Sequence, residues 1–173
     1  MLNLGFITDP CYSQIMETNL KNTIRYLLFK FSFDGDLITN LKMQKVLYYV
    51  YVWYLINTGR PCFTEKFQAW PNGPVIRSAY DALKVYGSSP IDVDYSEISC
   101  EEDLQNLKEN LGDVFIEIID QVYENYGTKS PFELVALTHN ESPWKVAREG
   151  LGVTEPSKNE ISDKDIMKEY GEK

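Results

Sequence analysis

The chain offers little with which to do covalent chemistry, and what it offers centres on its single histidine, His139. A nucleophilic mechanism would need Cys62 or a serine activated by that imidazole, with a third group to orient the ring. Glu141 is close enough in sequence to be that third group. No nucleophile elbow or catalytic-cysteine signature accompanies these residues. One histidine cannot build the usual multi-histidine metal site, and Cys11, Cys62 and Cys100 are widely spaced and odd in number. Asp34-Gly35-Asp36 lacks the remaining ligands of a calcium loop. Glycine-rich phosphate-binding signatures do not occur. No catalytic residue, metal or cofactor is therefore expected, and His139 reads as a structural residue near a helix end.

The elements that must position these residues are legible from apolar periodicity. The 173 residues are 43% hydrophobic and 25% charged, which fits one globular domain. Residues 1–15 show no clear period and read as a lead-in. Leu20, Ile24, Leu27, Leu28 and Phe31 predict a first helix that stops before Asp34-Gly35. A second, central helix follows over about 42–57, capped by Thr39 or Asn40 and closed by Gly59. Its tyrosine hydroxyls, Tyr48 and Tyr51 among them, are expected to reach the rim of the core. Cys62-Phe63 and Phe67–Trp70 flank Thr64-Glu65-Lys66 as a small hairpin or paired extended segments. Pro74 is placed to begin a third helix whose inner face is Ile76, Ala79, Tyr80 and Leu83.

Downstream, Ser99-Cys100-Glu101-Glu102 and Ser130-Pro131-Phe132-Glu133 have the form of capping boxes. Between them a helical stripe runs from Leu104 through Val122 to Tyr126, with Gly112-Asp113 as a kink or division and Gly127 as terminator. Ser142-Pro143 begins a short helix, which leaves 138–141 as a connector. Residues 151–159 read as a linker and Ser162 as the start of a last helix. The fold class is mainly α: a single compact helical domain over 16–150, with a small β-hairpin or extended segment between the second and third helices and a linker plus short helix over 151–173.

A formal charge of −9 argues against a general nucleic-acid-binding surface. The eleven-residue apolar run over 46–56 is too short to cross a bilayer. Met1–Pro10 shows no basic region followed by an apolar core, and reduced thiols suit a cytoplasmic location. Twelve tyrosines and three tryptophans supply the side chains that dominate protein interfaces. The exposed edge of the Phe63–Trp70 segment, with Phe63, Glu65, Lys66, Trp70 and nearby Tyr80, is the expected partner-binding surface. Trp70 with Gly73-Pro74 is expected to lie against the 138–144 connector, where His139 and Glu141 would organise a corner by hydrogen bonding.

Two ordered blocks carry a family resemblance. The first comprises Asn40-Leu-Lys-Met-Gln-Lys-Val-Leu-Tyr48-Tyr49, Trp53-Tyr-Leu55, Gly59-Arg60-Pro61, Phe67-Gln-Ala-Trp70, Gly73-Pro74-Val75 and Tyr80. The second is Leu137-Thr138-His139, Glu141 and Pro143-Trp144. Together they resemble the Panacea antitoxin domain, also known as SocA-like or phage-associated GepA-type, over about 16–150. Met43, Val46 and Cys62 stand where that family more often has leucine. The resemblance implies a mainly helical, non-enzymatic antitoxin that neutralises a cognate protein toxin by direct contact. It also implies an alternative, a proteolytic adaptor that delivers its toxin to a cytoplasmic protease. Neither nucleic acid nor membrane is an expected partner. The 151–173 tail is the candidate tether for such an adaptor, beside the plainer reading of a frayed terminal helix.

Overall fold

The computed structural model describes residues 10–171, with side chains described from residue 19 onward. Its helices are α1 (Pro10–Phe33), α2 (Asn40–Thr58), α3 (Arg77–Leu83), α4 (Glu101–Leu111), α5 (Asp113–Tyr126), α6 (Pro131–Asn140), α7 (Ser142–Ala147) and α8 (Asp163–Tyr170). One hairpin, β1 (Phe67–Trp70) and β2 (Gly73–Ile76), lies between α2 and α3.

α2 is the axis of the molecule. Thr39 accepts from the Lys42 amide at its start, and Gly59, with φ of 68°, ends it by donating to the Leu55 carbonyl. Only a residue at ease with positive φ closes a helix this way. From Asn40 to Val52 nearly every residue is buried, and helices α1, α3, α5, α6 and α8 and strand β2 all pack against it. A helix apolar on all sides has no solvent face to orient, so it takes the centre.

The structure moves several expected boundaries. α1 begins at Pro10, inside the segment read as a lead-in, with proline at the first helical position where its missing N–H costs nothing. The 104–126 stripe is cut into α4 and α5 at Gly112, whose φ is 81°. The cap of α4 is shifted by one residue: Asp103 receives the Ser99 and Cys100 amides, rather than Glu102 serving Ser99. The Ser130–Glu133 box forms as read.

The hairpin register is the largest difference. Phe67–Trp70 pairs with Gly73–Ile76 across the Pro71-Asn72 turn, not with Cys62-Phe63, so Pro74 lies in a strand instead of starting α3. The reason is visible in the ladder. Ala69, opposite Pro74, turns its N–H away to the Asn159 carbonyl (2.8 Å). The backbone nitrogen of Pro74 is therefore turned away from β1, where a missing donor breaks no ladder bond.

The far side of β1 is covered as well. Ile161 donates to the Phe67 carbonyl at 2.8 Å, and Gln68 and Glu160 form an antiparallel bridge. Ile161 and Ile166 are buried in the common core. The 151–171 tail is thus packed into the fold, and the expectation of a free edge on β1 is not met.

Candidate functional site

α2 presents two faces to the hairpin, and each organises a distinct constellation. On one face, Lys45 is completely buried (0% exposed) and its Nζ donates to the Pro74 carbonyl at 2.7 Å. Gly73, with φ of +93°, lies so close that a Cβ there would sit 2.7 Å from Thr138 Oγ1 and 2.8 Å from Lys45 Cε. Thr138 is itself buried and donates to the Val135 carbonyl at 2.9 Å. The glycine is required by both its backbone and its neighbours.

The second block closes the corner. Trp144 Nε1 donates to the Trp70 carbonyl at 2.9 Å, and the His139 ring stacks on Trp144 with centroids 3.9 Å apart. His139 also bonds to the Pro71 backbone, while its Nε2 is buried without a hydrogen-bond partner among the described residues. Trp70 and Gly73-Pro74 are therefore brought against 138–144, as the sequence led us to expect. Burial first, then the nearby Lys45, depresses the imidazole's proton affinity. Glu141 Oε1 accepts from Tyr49 at 2.8 Å, which ties this segment to α2.

Tyr49 and Tyr51 of α2 place their hydroxyls on carboxylates of the elements packed around the helix, Glu141 and Asp163, whereas the Tyr48 hydroxyl is buried with no hydrogen-bond partner among the described residues. Tyr51 donates to Asp163 of α8 at 2.6 Å, and Trp53 Nε1 donates to Tyr126 Oη at 3.2 Å. Tyr48 is fully buried, with burial and then the Glu141 charge raising its pKa. Cys62 is buried too, which pushes its thiol well above the ordinary range. That shift is opposite to the one that activates a catalytic cysteine. Among the described residues, no group of three or more His, Cys, Asp or Glu is arranged to hold a metal.

Lys45 gives this corner a pH signature. Burial lowers its pKa from 10.5 to about 7. Between those values the unfolded chain holds a proton that the folded chain lacks, so stability rises with pH. The expected slope is about 1.4 kcal/mol per pH unit. It should be measured between pH 7 and about 8, before ionisation of the unfolded form of Cys62, with an ordinary thiol pKa of about 8.5, acts strongly in the opposite sense. Urea melts of the wild type should show this gain across the window, and Lys45→Met should flatten it.

The other face of α2 floors an open groove of about 970 Å³. Asn40 Nδ2 donates to the Tyr80 carbonyl at 3.2 Å, and its Oδ1 accepts from Gln44 Nε2 at 3.1 Å. Gln44 Oε1 then receives the Ile76 amide at 3.0 Å. This chain of amides ties α2 to the end of β2 and to α3. Above it, Trp70 and Tyr80 meet with ring centroids 4.9 Å apart, and Arg77 lies over the Trp70 ring at 5.8 Å. Residues 156–158 form the remaining wall.

The five expected partner-binding residues are thus divided. Trp70 and Tyr80 come together in the groove. Phe63 is 0% exposed and belongs to the core. Glu65 accepts from Thr64 (3.0 Å), and Lys66 pairs with Asp163 (2.9 Å), so neither lies with the other two. Arg77, Lys84 and Lys158 of the groove were not singled out by sequence, although Arg77, Asp81 and Lys84 stand at helical i, i+4 and i+7 spacing. Arg148 was also missed: it is buried, and it donates to the Ala69 carbonyl at 2.8 Å and to the Gly152 carbonyl at 2.7 Å, clasping the 151–156 loop to β1.

A family model for the SocA-like antitoxin, Panacea domain, matches residues 43–145. Among curated proteins, "Antitoxin SocA" of Caulobacter vibrioides (strain NA1000 / CB15N) is 30% identical over 135 residues, covering 77% of this chain and 72% of that protein. The chain belongs to the SocA-like Panacea antitoxin domain family. No solved structure matches it. The Panacea span takes in most of α2, the hairpin, α3 and the His139–Trp144 corner, and it leaves α8 and the 156–158 wall of the groove outside. No described helix is long and apolar enough to cross a membrane.

Proposed function

We propose that this protein is an antitoxin of a toxin–antitoxin system, which holds a cognate protein toxin inactive by direct contact in the cytoplasm and without turnover. The observation that carries this reading is its similarity to "Antitoxin SocA", sustained over 77% of the chain. The arrangement of the shared blocks supports a binding scaffold. Lys45, Gly73, Thr138, His139 and Trp144 are engaged in holding one corner together. The −9 charge disfavours approach to nucleic-acid phosphate along any length of duplex.

A proteolytic-adaptor role is not part of the proposal. The tail that would act as a tether is packed through Ile161 and Ile166 and pairs with β1.

The test is co-expression with the neighbouring reading frame. That frame alone should arrest growth, this protein should restore it, and the two purified proteins should co-elute. A neighbour that is harmless alone, or equally toxic in the presence of this protein, would reject the antitoxin reading.

A further inference from the structure

We propose that the groove between the β1–β2 turn, α3 and the 156–158 loop seats an acidic segment of the partner protein, anchored by an apolar side chain. The proposal rests on the antitoxin reading and assigns the surface that the toxin occupies.

Shape and chemistry agree on this occupant. An open groove of about 970 Å³ has room for several side chains of a segment laid across it. Its wall is the Trp70–Tyr80 pair, extended by Val75 and Leu41. Aromatic surface of this kind, partly buried and rigidly held, is what anchors protein interfaces. The amide chain through Asn40 and Gln44 fixes the floor before anything binds, so little ordering is required on association.

The charge pattern supplies the second half of the argument. Arg77, Lys84 and Lys158 line the groove, and no carboxylate does. Asp81 steadies two of these cations, at 2.6 Å from Arg77 and 3.2 Å from Lys84. One carboxylate against three cations leaves a local positive excess on a protein whose formal charge is −9. Such an inversion of sign selects a partner carrying carboxylates and speeds its encounter.

A protein segment fits better than a nucleic acid. The polar groups of the floor already bond to one another, to the Tyr80 carbonyl and to the Ile76 amide. They therefore do not demand the edge contacts that a base would provide. A short acidic segment meets only the local positive charge, whereas a longer polyanion also meets the field of the whole acidic protein.

The test uses the full chain and the purified toxin encoded by the neighbouring frame. Arg77→Glu/Lys84→Glu/Lys158→Glu should weaken toxin binding about 100-fold, because three attractive contacts become repulsive. Lys108→Glu/Lys129→Glu/Lys164→Glu carries the same change in net charge outside the groove and should bind within about 3-fold of wild type. Ser88→Trp, which fills the groove from an exposed position without touching the Asp81 pairs, should weaken binding about 10-fold. Thermal melts accompany each variant. Wild-type affinity in both the folded groove triple and Ser88→Trp would overturn the groove assignment and leave the antitoxin reading standing. A wild-type protein that neither binds nor neutralises the toxin would bring down both. Tight binding of a fluorescent single-stranded oligonucleotide, abolished by the groove triple, would overturn the proposal in favour of a nucleic-acid ligand.

Discussion

Val46→Asp should lose at least about 4 kcal/mol of stability, enough to unfold much of the population of an ordinary domain. Val46 is 0% exposed on α2, at the point where the central helix is enclosed on all sides. A carboxylate there is cut off from water, so it must either remain charged at a large desolvation cost or take up a proton. Val46→Ala separates the charge from the lost packing and should cost only about 2 kcal/mol. Asn57→Ala, at an exposed position on the same helix, should fall within about 0.5 kcal/mol of wild type. Equilibrium urea unfolding of the three variants checks the ordering. A Val46→Asp midpoint close to that of Asn57→Ala would show that α2 is not the enclosed axis.

The central helix was legible because independent signals converge on it. Length, the Thr39 cap, the Gly59 terminator and the continuous apolar content all specify the same element. The hairpin was legible only as a presence. Pro74 suits both the first position of a helix and an edge-strand site whose nitrogen is turned away from the neighbouring strand, and local sequence does not separate the two. What decided it was the Asn159 carbonyl, eighty-five residues further on, capturing the Ala69 amide. Charged residues buried for structural reasons were similarly hidden. Lys45 and Arg148 look like surface residues in a linear reading, and each is buried only because the carbonyls of β1 and β2 are turned toward it.

The corner and the groove differ in the same way. The meeting of Trp70 and Gly73-Pro74 with 138–144 was legible because both lie at segment junctions rich in proline, glycine and tryptophan, and these are punctuation that sequence displays. The groove is assembled from α2, the β1–β2 turn, α3 and the 156–158 loop. Trp70 and Tyr80 were recognisable as interface side chains, but the cations beside them acquire meaning only once Lys158 is folded across from α3. The error over Phe63 has the complementary cause. An aromatic residue beside a predicted strand edge looks available until Tyr51 of α2 and Phe115 of α5 pack against it, with ring centroids 6.1 and 6.3 Å away.

The packing of the tail against β1 sets the last expectation. Ending the chain after Lys158 should destabilise it by about 5 kcal/mol, because burying each isoleucine side chain is worth roughly 1.5–3 kcal/mol and both Ile161 and Ile166 are lost. The truncation also removes the Asn159 and Ile161 bonds to β1, the Asp163 acceptor of Tyr51 and Lys66, and the Glu169 acceptor of Ser142. Tyr51 is left without an acceptor for its hydroxyl, beside a Lys66 ammonium that has lost its carboxylate, and β1 with an uncovered edge of the kind that templates aggregation. Urea melts and size-exclusion chromatography should show a protein largely unfolded or associated. Ile166→Ala, which keeps the chain intact, should cost about 3 kcal/mol by the same logic. A truncated protein that remained monomeric with a native melt would mean that α8 is a detachable appendage after all. If instead it unfolds, deleting the tail in a toxin-turnover assay measures folding and not tethering. The variants that separate the two lie on the exposed face of α8, at Lys164, Met167 and Lys168, where substitution leaves Ile166 and the Asp163 contacts in place.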